Sequence, residues 1–244
     1  LPLKLQSEDP GVTAARFFSQ AEVRAEKQAG PGEQASYQFT SGKEWLDISS
    51  NGILTYRNDA IRVKDDSPKI SLEQAKGIAE EFIKQHLGGM PKDVRLGYAE
   101  AGNTAAASHH LTYNQYVNSV PISPVPIFDA YIDMDVTADG VALMTRRWPQ
   151  PSGWSSTFAT IASASDILLR LVQDPLFKEA AARAVGGKQD AQIVIKEITL
   201  GYYSALDPNV ESTAFPAWRV VLAQGDEFIY NALTGLREYP GIVP

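Results

Sequence analysis

The chain has 244 residues, 44% of them apolar and 21% charged, a balance suited to one large folded domain or two of ordinary size. A net charge of −7 argues against nucleic acid or an anionic membrane surface as the main ligand, and the absence of cysteine excludes disulfide frameworks, thiolate zinc sites and thiol nucleophiles. No stretch approaches the roughly 18 consecutive apolar residues that a membrane-spanning helix requires.

Residues 1–34 are expected to form a helical stalk. Asp9-Pro10 is a helix opening, with Asp as the cap and Pro in the first turn, and the stretch from Val12 to Ala29 is rich in helix formers until Gly30-Pro31-Gly32. The chain opens on Leu1 and not on Met, so a processed product is expected, with an anchor ahead of it.

From Ser36 the apolar period becomes two. Tyr37 and Phe39 alternate with polar neighbours, Trp45–Ile48 follows a Ser41-Gly42 turn, and Asn51-Gly52 turns the chain into Ile53–Tyr56. Ser71 with Gln74 makes a capping box for a helix carrying Leu72, Ala75, Ile78, Ala79, Phe82 and Ile83, which Gly88-Gly89 and Pro91 stop. Strands are expected at Val94–Ala101, Leu111–Val117, Tyr131–Val136 and, after Asp139-Gly140, Val141–Trp148.

Pro149–Gly153 reads as a linker. Beyond it, Ile167, Leu168, Leu171 and Val172 mark a helix that breaks at Asp174-Pro175, and a second helical stretch runs Leu176–Val185 before Gly186-Gly187. Strands follow at Ile193–Ser204, Trp218–Leu222 and Phe228–Ala232, with a closing turn at Thr234-Gly235. Trp218, Val220 and Leu222 share one strand face and are expected to fill a second core, with Ala217, Arg219 and Val221 opposite.

The chain also echoes itself. Arg95-Leu96-Gly97-Tyr98-Ala99-Glu100-Ala101 and Thr199-Leu200-Gly201-Tyr202-Tyr203-Ser204-Ala205 each follow a helical stretch and precede a run of strands. The expected fold is therefore α+β: two related units, 35–150 and 151–244, each a helix packed on an antiparallel sheet, preceded by the N-terminal helix.

Candidate chemistry is sparse. Adjacent strand residues point to opposite faces, so His109 and His110 are poorly placed to chelate one ion and read as an exposed strand entry. Asp129, Tyr131, Asp133 and Asp135 alternate along one strand, as the solvated face of a half-buried sheet does; a calcium site or a hydrolase built on Asp133 and Asp135 is the rival reading. No Gly-x-Ser-x-Gly elbow or phosphate-cradling loop is present. No catalytic, cofactor-binding or metal residue is assigned and no cofactor is expected. The doublet Tyr202-Tyr203 must put one ring on each face of its strand, so one ring is a candidate for a partner surface or an inter-domain seam.

Several motifs resemble known families. Tyr113-Asn114-Gln115-Tyr116 with Pro121, then Ile127-Phe128-Asp129 and Asp139-Gly140, resemble the PepSY-type pattern, although Asn118-Ser119 stands where that pattern usually has Asn-Gly and Ser123–Pro126 is an insertion. More narrowly, Leu200-Gly201-Tyr202-Tyr203, Pro216-Ala217-Trp218-Arg219 and Tyr230-Asn231-Ala232 with Thr234-Gly235 resemble the YycI branch of the YycH/YycI family, over roughly residues 36–240. That resemblance implies a non-enzymatic extracytoplasmic domain anchored in the cell membrane of a Gram-positive bacterium by a single transmembrane helix. It also implies partners: a YycG/WalK-like sensor histidine kinase and a YycH-like protein, engaged mainly through that helix, in control of cell-wall homeostasis. Homo- or heterodimerisation stays open. A PepSY-like protease inhibitor or propeptide module is the alternative.

Overall fold

A computed structural model describes residues 2–5, 8–18, 26–28, 36–49, 52–63, 67–99, 105–122, 131–151, 153, 159–185, 192–203 and 212–239. In chain order the elements are β1 (Pro2–Leu5), α1 (Pro10–Phe17), β2 (Glu26–Gln28), β3 (Ser36–Ser41), β4 (Glu44–Ser49), β5 (Leu54–Asn58) and α2 (Leu72–His86). There follow β6 (Val94–Ala99), β7 (Ser108–Val117), β8 (Val120–Pro121), β9 (Tyr131–Thr137), β10 (Gly140–Arg147), β11 (Pro149–Pro151), α3 (Ala164–Leu171) and α4 (Pro175–Val185). The last are β12 (Ile195–Tyr203), β13 (Ser212–Thr213), β14 (Phe215–Leu222), β15 (Glu227–Asn231) and β16 (Arg237–Tyr239). The fold is α+β.

The large antiparallel sheet has the order β2-β3-β4-β5-β10-β9-β7-β6, with β8 a short hairpin partner of β7. Its strands alternate cleanly: in β7, His109, Leu111, Tyr113, Gln115 and Val117 are buried while the residues between them are half-exposed. Helix α2 lies over β10, β9 and β7 and buries Ala75, Ala79 and Ile83. Its capping box forms as the sequence predicts: Ser71 Oγ accepts from Gln74 N at 3.2 Å, and Gln74 Oε1 accepts from Ser71 N at 2.9 Å.

The N-terminal helix differs from expectation. It ends at Phe17, Glu26–Gln28 is a strand paired with β3, and α1 is docked against the core and is no stalk. Ala14 and Phe17 are buried; the Phe17 ring stacks on His86 at 4.8 Å, and His86 Nδ1 donates to the Arg16 carbonyl at 2.8 Å. Val12 to Ala29 reads as helix by composition, but Ala14, Phe17 and Phe18 repay burial only if the helix is short enough to turn at Phe18.

A second antiparallel sheet has the order β12-β14-β15-β16. On one face Val220, Leu222, Phe228 and Tyr230 pack with Ile167 and Leu171 of α3 and Phe177 and Ala180 of α4. Trp218 is half-buried on the same face, and Ala217 lies on the other with Tyr203 and Ile229, the division the alternation predicts. The break between α3 and α4 is held by Asp174. Its carboxylate accepts from Leu176 N at 2.9 Å and from the Tyr230 hydroxyl at 2.9 Å, and it also pairs with Arg237.

The expected linker also holds regular structure. Pro149–Pro151 pairs with β1, and β1 pairs on its other edge with β13, a three-stranded sheet in the order β11-β1-β13. Gly186-Gly187 lies outside the described residues.

Candidate functional site

Helices cover one face of the large sheet, and the opposite face is half-exposed from β3 to β7. Strand register builds two rows across it. One runs His110–Asp135–Leu143–Arg57–Trp45 through β7, β9, β10, β5 and β4. The other runs Thr112–Asp133–Thr145–Thr55–Asp47–Gln38, from β7 to β3.

Neighbours within the rows are joined chemically. His110 Nδ1 lies 2.7 Å from Asp135 Oδ1, and its Nε2 lies 3.1 Å from Asp133 Oδ1. Thr112 Oγ1 donates to Asp133 Oδ1 at 2.6 Å, and Gln38 Nε2 donates to Asp47 Oδ1 at 2.9 Å. The Arg57 guanidinium sits over the Trp45 ring, 5.3 Å from its centroid; outside the two rows, Arg95 of β6 sits 4.4 Å from the Tyr116 centroid.

This geometry limits the chemistry. A neutral imidazole carries one N–H, so a ring with carboxylate oxygens at both nitrogens is best satisfied when doubly protonated. In that doubly protonated state the ring donates to both carboxylates and has no lone pair left to take a proton from a nucleophile. Among the described residues, no group of three or more His, Asp or Glu has metal-holding geometry.

The sequence-level candidates fall in different places. His109 is a correction: it is fully buried, because β7 begins under α2 and not at an exposed entry. Its Nε2 lies 2.9 Å from the Ile70 carbonyl, and since a carbonyl only accepts, Nε2 carries the proton. His110 points the other way, onto the polar face. Asp133 and Asp135 are on that face as the alternation predicts, while Asp129 lies outside the described residues.

Tyr203 is buried with Ala217 and Ile229, its ring edge-on to Phe215 at 5.4 Å. Tyr202 is half-buried against Val117, Ile122 and Ala214, and its backbone bridges in parallel to Ile122. The doublet thus splits between two faces, with Tyr202 where the β7–β8 hairpin meets the second sheet. The pairing of His110 with the two aspartates was missed in the sequence, because the acidic row was visible and the strand register that sets a histidine between its members was not.

A second feature is an open groove of about 770 Å³ beside α2, where Ile70, Ile78 and Phe82 meet Gly140 and Val141. No periodicity signals it.

Residues 43–140, from the start of β4 to the turn into β10, match the model of the YcdB, YcdC repeated domain. That is a repeated-domain family, and a different one from the family that the C-terminal motifs resemble. A solved structure of an uncharacterized protein from Eubacterium rectale ATCC 33656 is similar with a TM-score of 0.65 at 13% identity, over 98% of this chain and 85% of that one. At that identity the likeness shows the fold alone. No curated protein matches the chain.

Proposed function

We propose that the chain is a non-enzymatic binding protein made of two related helix-on-sheet units, acting outside the cytoplasm as a regulator of a membrane sensor histidine kinase in cell-wall homeostasis. Three features support the two-unit part. Residues 95–99 and 199–203 of the two echo segments lie on β6 and β12, each the first strand after a helix. In both halves four of the strands that follow a helix lie side by side in chain order, β6-β7-β9-β10 and β12-β14-β15-β16, with the short β8 and β13 set aside. The first half matches a repeated domain.

The observation that carries the binding part is the double row on the large sheet. It is continuous, half-exposed and rich in paired donors and acceptors, and its histidine is held by carboxylates at both ring nitrogens. Such a surface suits hydrogen-bonded recognition of another macromolecule. The identity of the partner, a YycG/WalK-like kinase with a YycH-like protein, and the membrane anchor rest on the resemblance of the Leu200–Tyr203, Pro216–Arg219 and Tyr230–Gly235 motifs.

The test is co-purification of the full-length protein with the kinase from detergent, with and without the YycH-like protein. A complex that weakens in Asp133→Asn and Asp135→Asn supports the reading. Failure to form any complex sinks the kinase assignment, and inhibition of a protease in a casein assay would move the protein to the PepSY-like inhibitor class.

A further inference from the structure

The two helix–turn corners of the molecule start alike and finish differently, a comparison that rests on the two-unit reading. Helices α2 and α3 both open on a capping box, at Ser71/Gln74 and Ser163/Asp166. Counted from the caps, the fourth and eighth residues are Ala75 and Ala79 in one helix and Ile167 and Leu171 in the other, all fully buried. The seventh residue is Ile78 in α2 and Arg170 in α3.

Arg170, an exposed residue, reaches across its corner. Its Nη1 donates to the carbonyl of Gly235, in the turn that enters β16, at 3.3 Å. Gly235 has φ +69°, and a Cβ there would lie 2.5 Å from the guanidinium carbon, so only glycine lets the cation lie so close to the backbone. In the first half, Ile78 cannot make that bridge. The groove of about 770 Å³ lies open between α2 and Gly140 at the turn into β10.

Two further features point to an occupant. Gly77, on the groove wall, is a helix-interior glycine, which a helix disfavours relative to Ala. A Cβ there would meet nothing within 4 Å, so internal packing does not require the glycine. Its absence of side chain keeps the wall low enough for a second chain to approach. Glu81 stands on the rim with its side chain half-exposed; one carboxylate oxygen accepts from Gln85 Nε2 at 2.9 Å, and the other is paired with Lys84 at 3.6 Å. An exposed carboxylate above the apolar surface of Ile70, Ile78, Phe82 and Val141 complements a cation carried on an apolar segment.

We propose that this groove docks a peptide segment of a partner protein in which an arginine is flanked by apolar residues, the partner supplying from outside the guanidinium that Arg170 supplies from within. The net charge of −7 favours the approach of such a segment.

The probe is the capped pentapeptide Leu-Leu-Arg-Leu-Val, the sequence of residues 168–172, titrated to millimolar concentration into the full isotopically labelled chain and followed by amide chemical shifts. Shift changes confined to Gly77, Ile78, Glu81, Gly140 and Val141 support the site. So does affinity weakened about tenfold when citrulline replaces the arginine, the worth of one charge-assisted contact. Ile78→Arg, which installs the counterpart of Arg170, is expected to abolish the shifts. Glu81→Gln, a rim change that spares packing, is expected to weaken binding several-fold.

Shifts that are absent or scattered, equal binding of the citrulline peptide, or undiminished binding to both variants would overturn the proposal. So would concentration-dependent dimers that Ile78→Arg dissolves, since the occupant would then be a second copy. Peptide binding that persists when no kinase complex forms upholds the groove and counts only against the kinase reading.

Discussion

Trp218 donates its indole N–H to the carbonyl of Ala162 across 2.9 Å, and so ties the second strand of its sheet to the residue just ahead of the α3 cap. His109 makes the same kind of tie to Ile70, just ahead of the α2 cap, also at 2.9 Å. In both halves a large ring with one N–H fixes the start of a helix over the sheet.

Trp218→Ala is expected to destabilise the protein by about 3–5 kcal/mol, since it empties a large site against Val220, Leu222 and α3 and also releases the Ala162 carbonyl. Trp218→Phe keeps most of the volume and loses the hydrogen bond, at a cost of about 1 kcal/mol. Denaturant midpoints separate the two terms, and a shift under about 1 kcal/mol for Trp218→Ala would show the ring to be dispensable.

Asn118 and Ser119 form the two-residue turn between β7 and β8 with φ of +49° and +66°. A serine in the left-handed region costs about 1–2 kcal/mol, and glycine there costs far less while adding some unfolded-state entropy. Ser119→Gly is therefore expected to stabilise by about 0.5–1 kcal/mol net of its lost bond from Arg95, measured by thermal melting.

Gly235→Ala meets two obstacles, the positive φ and the Arg170 guanidinium. The single change is expected to cost about 2 kcal/mol or more, and in the Arg170→Ala background only the backbone part, about 1–2 kcal/mol, should remain. Equal costs in both backgrounds would show that the guanidinium yields freely.

Burial raises the hydroxyl pKa of three tyrosines well above the ordinary value near 10. Desolvation acts first in each, followed by Glu44 at Tyr56, the Glu80 and Glu73 charges at Tyr113, and Asp174 at Tyr230. The native state holds these protons more tightly than the unfolded chain does. Their contribution is thus complete below about pH 10 and is lost as pH rises toward the folded values, at up to about 1.4 kcal/mol per pH unit for each group. Tyr113→Phe should reduce that alkaline slope at little cost near neutrality, because among the described residues its hydroxyl has no hydrogen-bond partner. Tyr230→Phe should reduce the slope too, but lose about 1–2 kcal/mol at neutral pH with the Asp174 bond. Urea titrations across pH 7–11 read both.

Local chemistry was legible in the chain wherever it acts over a few residues. Ser71/Gln74 and the alternation of β7, β9 and β14 announce themselves, and so does the Asn231 turn, whose Oδ1 accepts from Leu233 N at 2.9 Å and Thr234 N at 3.2 Å. What stayed hidden depends on distant pairing. Nothing near Thr55 says that β5 lies beside β10 and joins the N-terminal strands to the rest of the large sheet. The burial of His109 and the seat of His110 between two aspartates follow from where α2 and β9 come to lie, which no window on the sequence contains. The groove beside α2 is a gap between elements, so no residue pattern encodes it directly.

Residues 2–5 hold one edge against Pro149–Pro151 and the other against Ser212–Thr213. A pull on the amino end of the protein therefore loads this small clasp before it reaches either hydrophobic interior. Few rungs join it, so under such a load it is the pairing expected to part first.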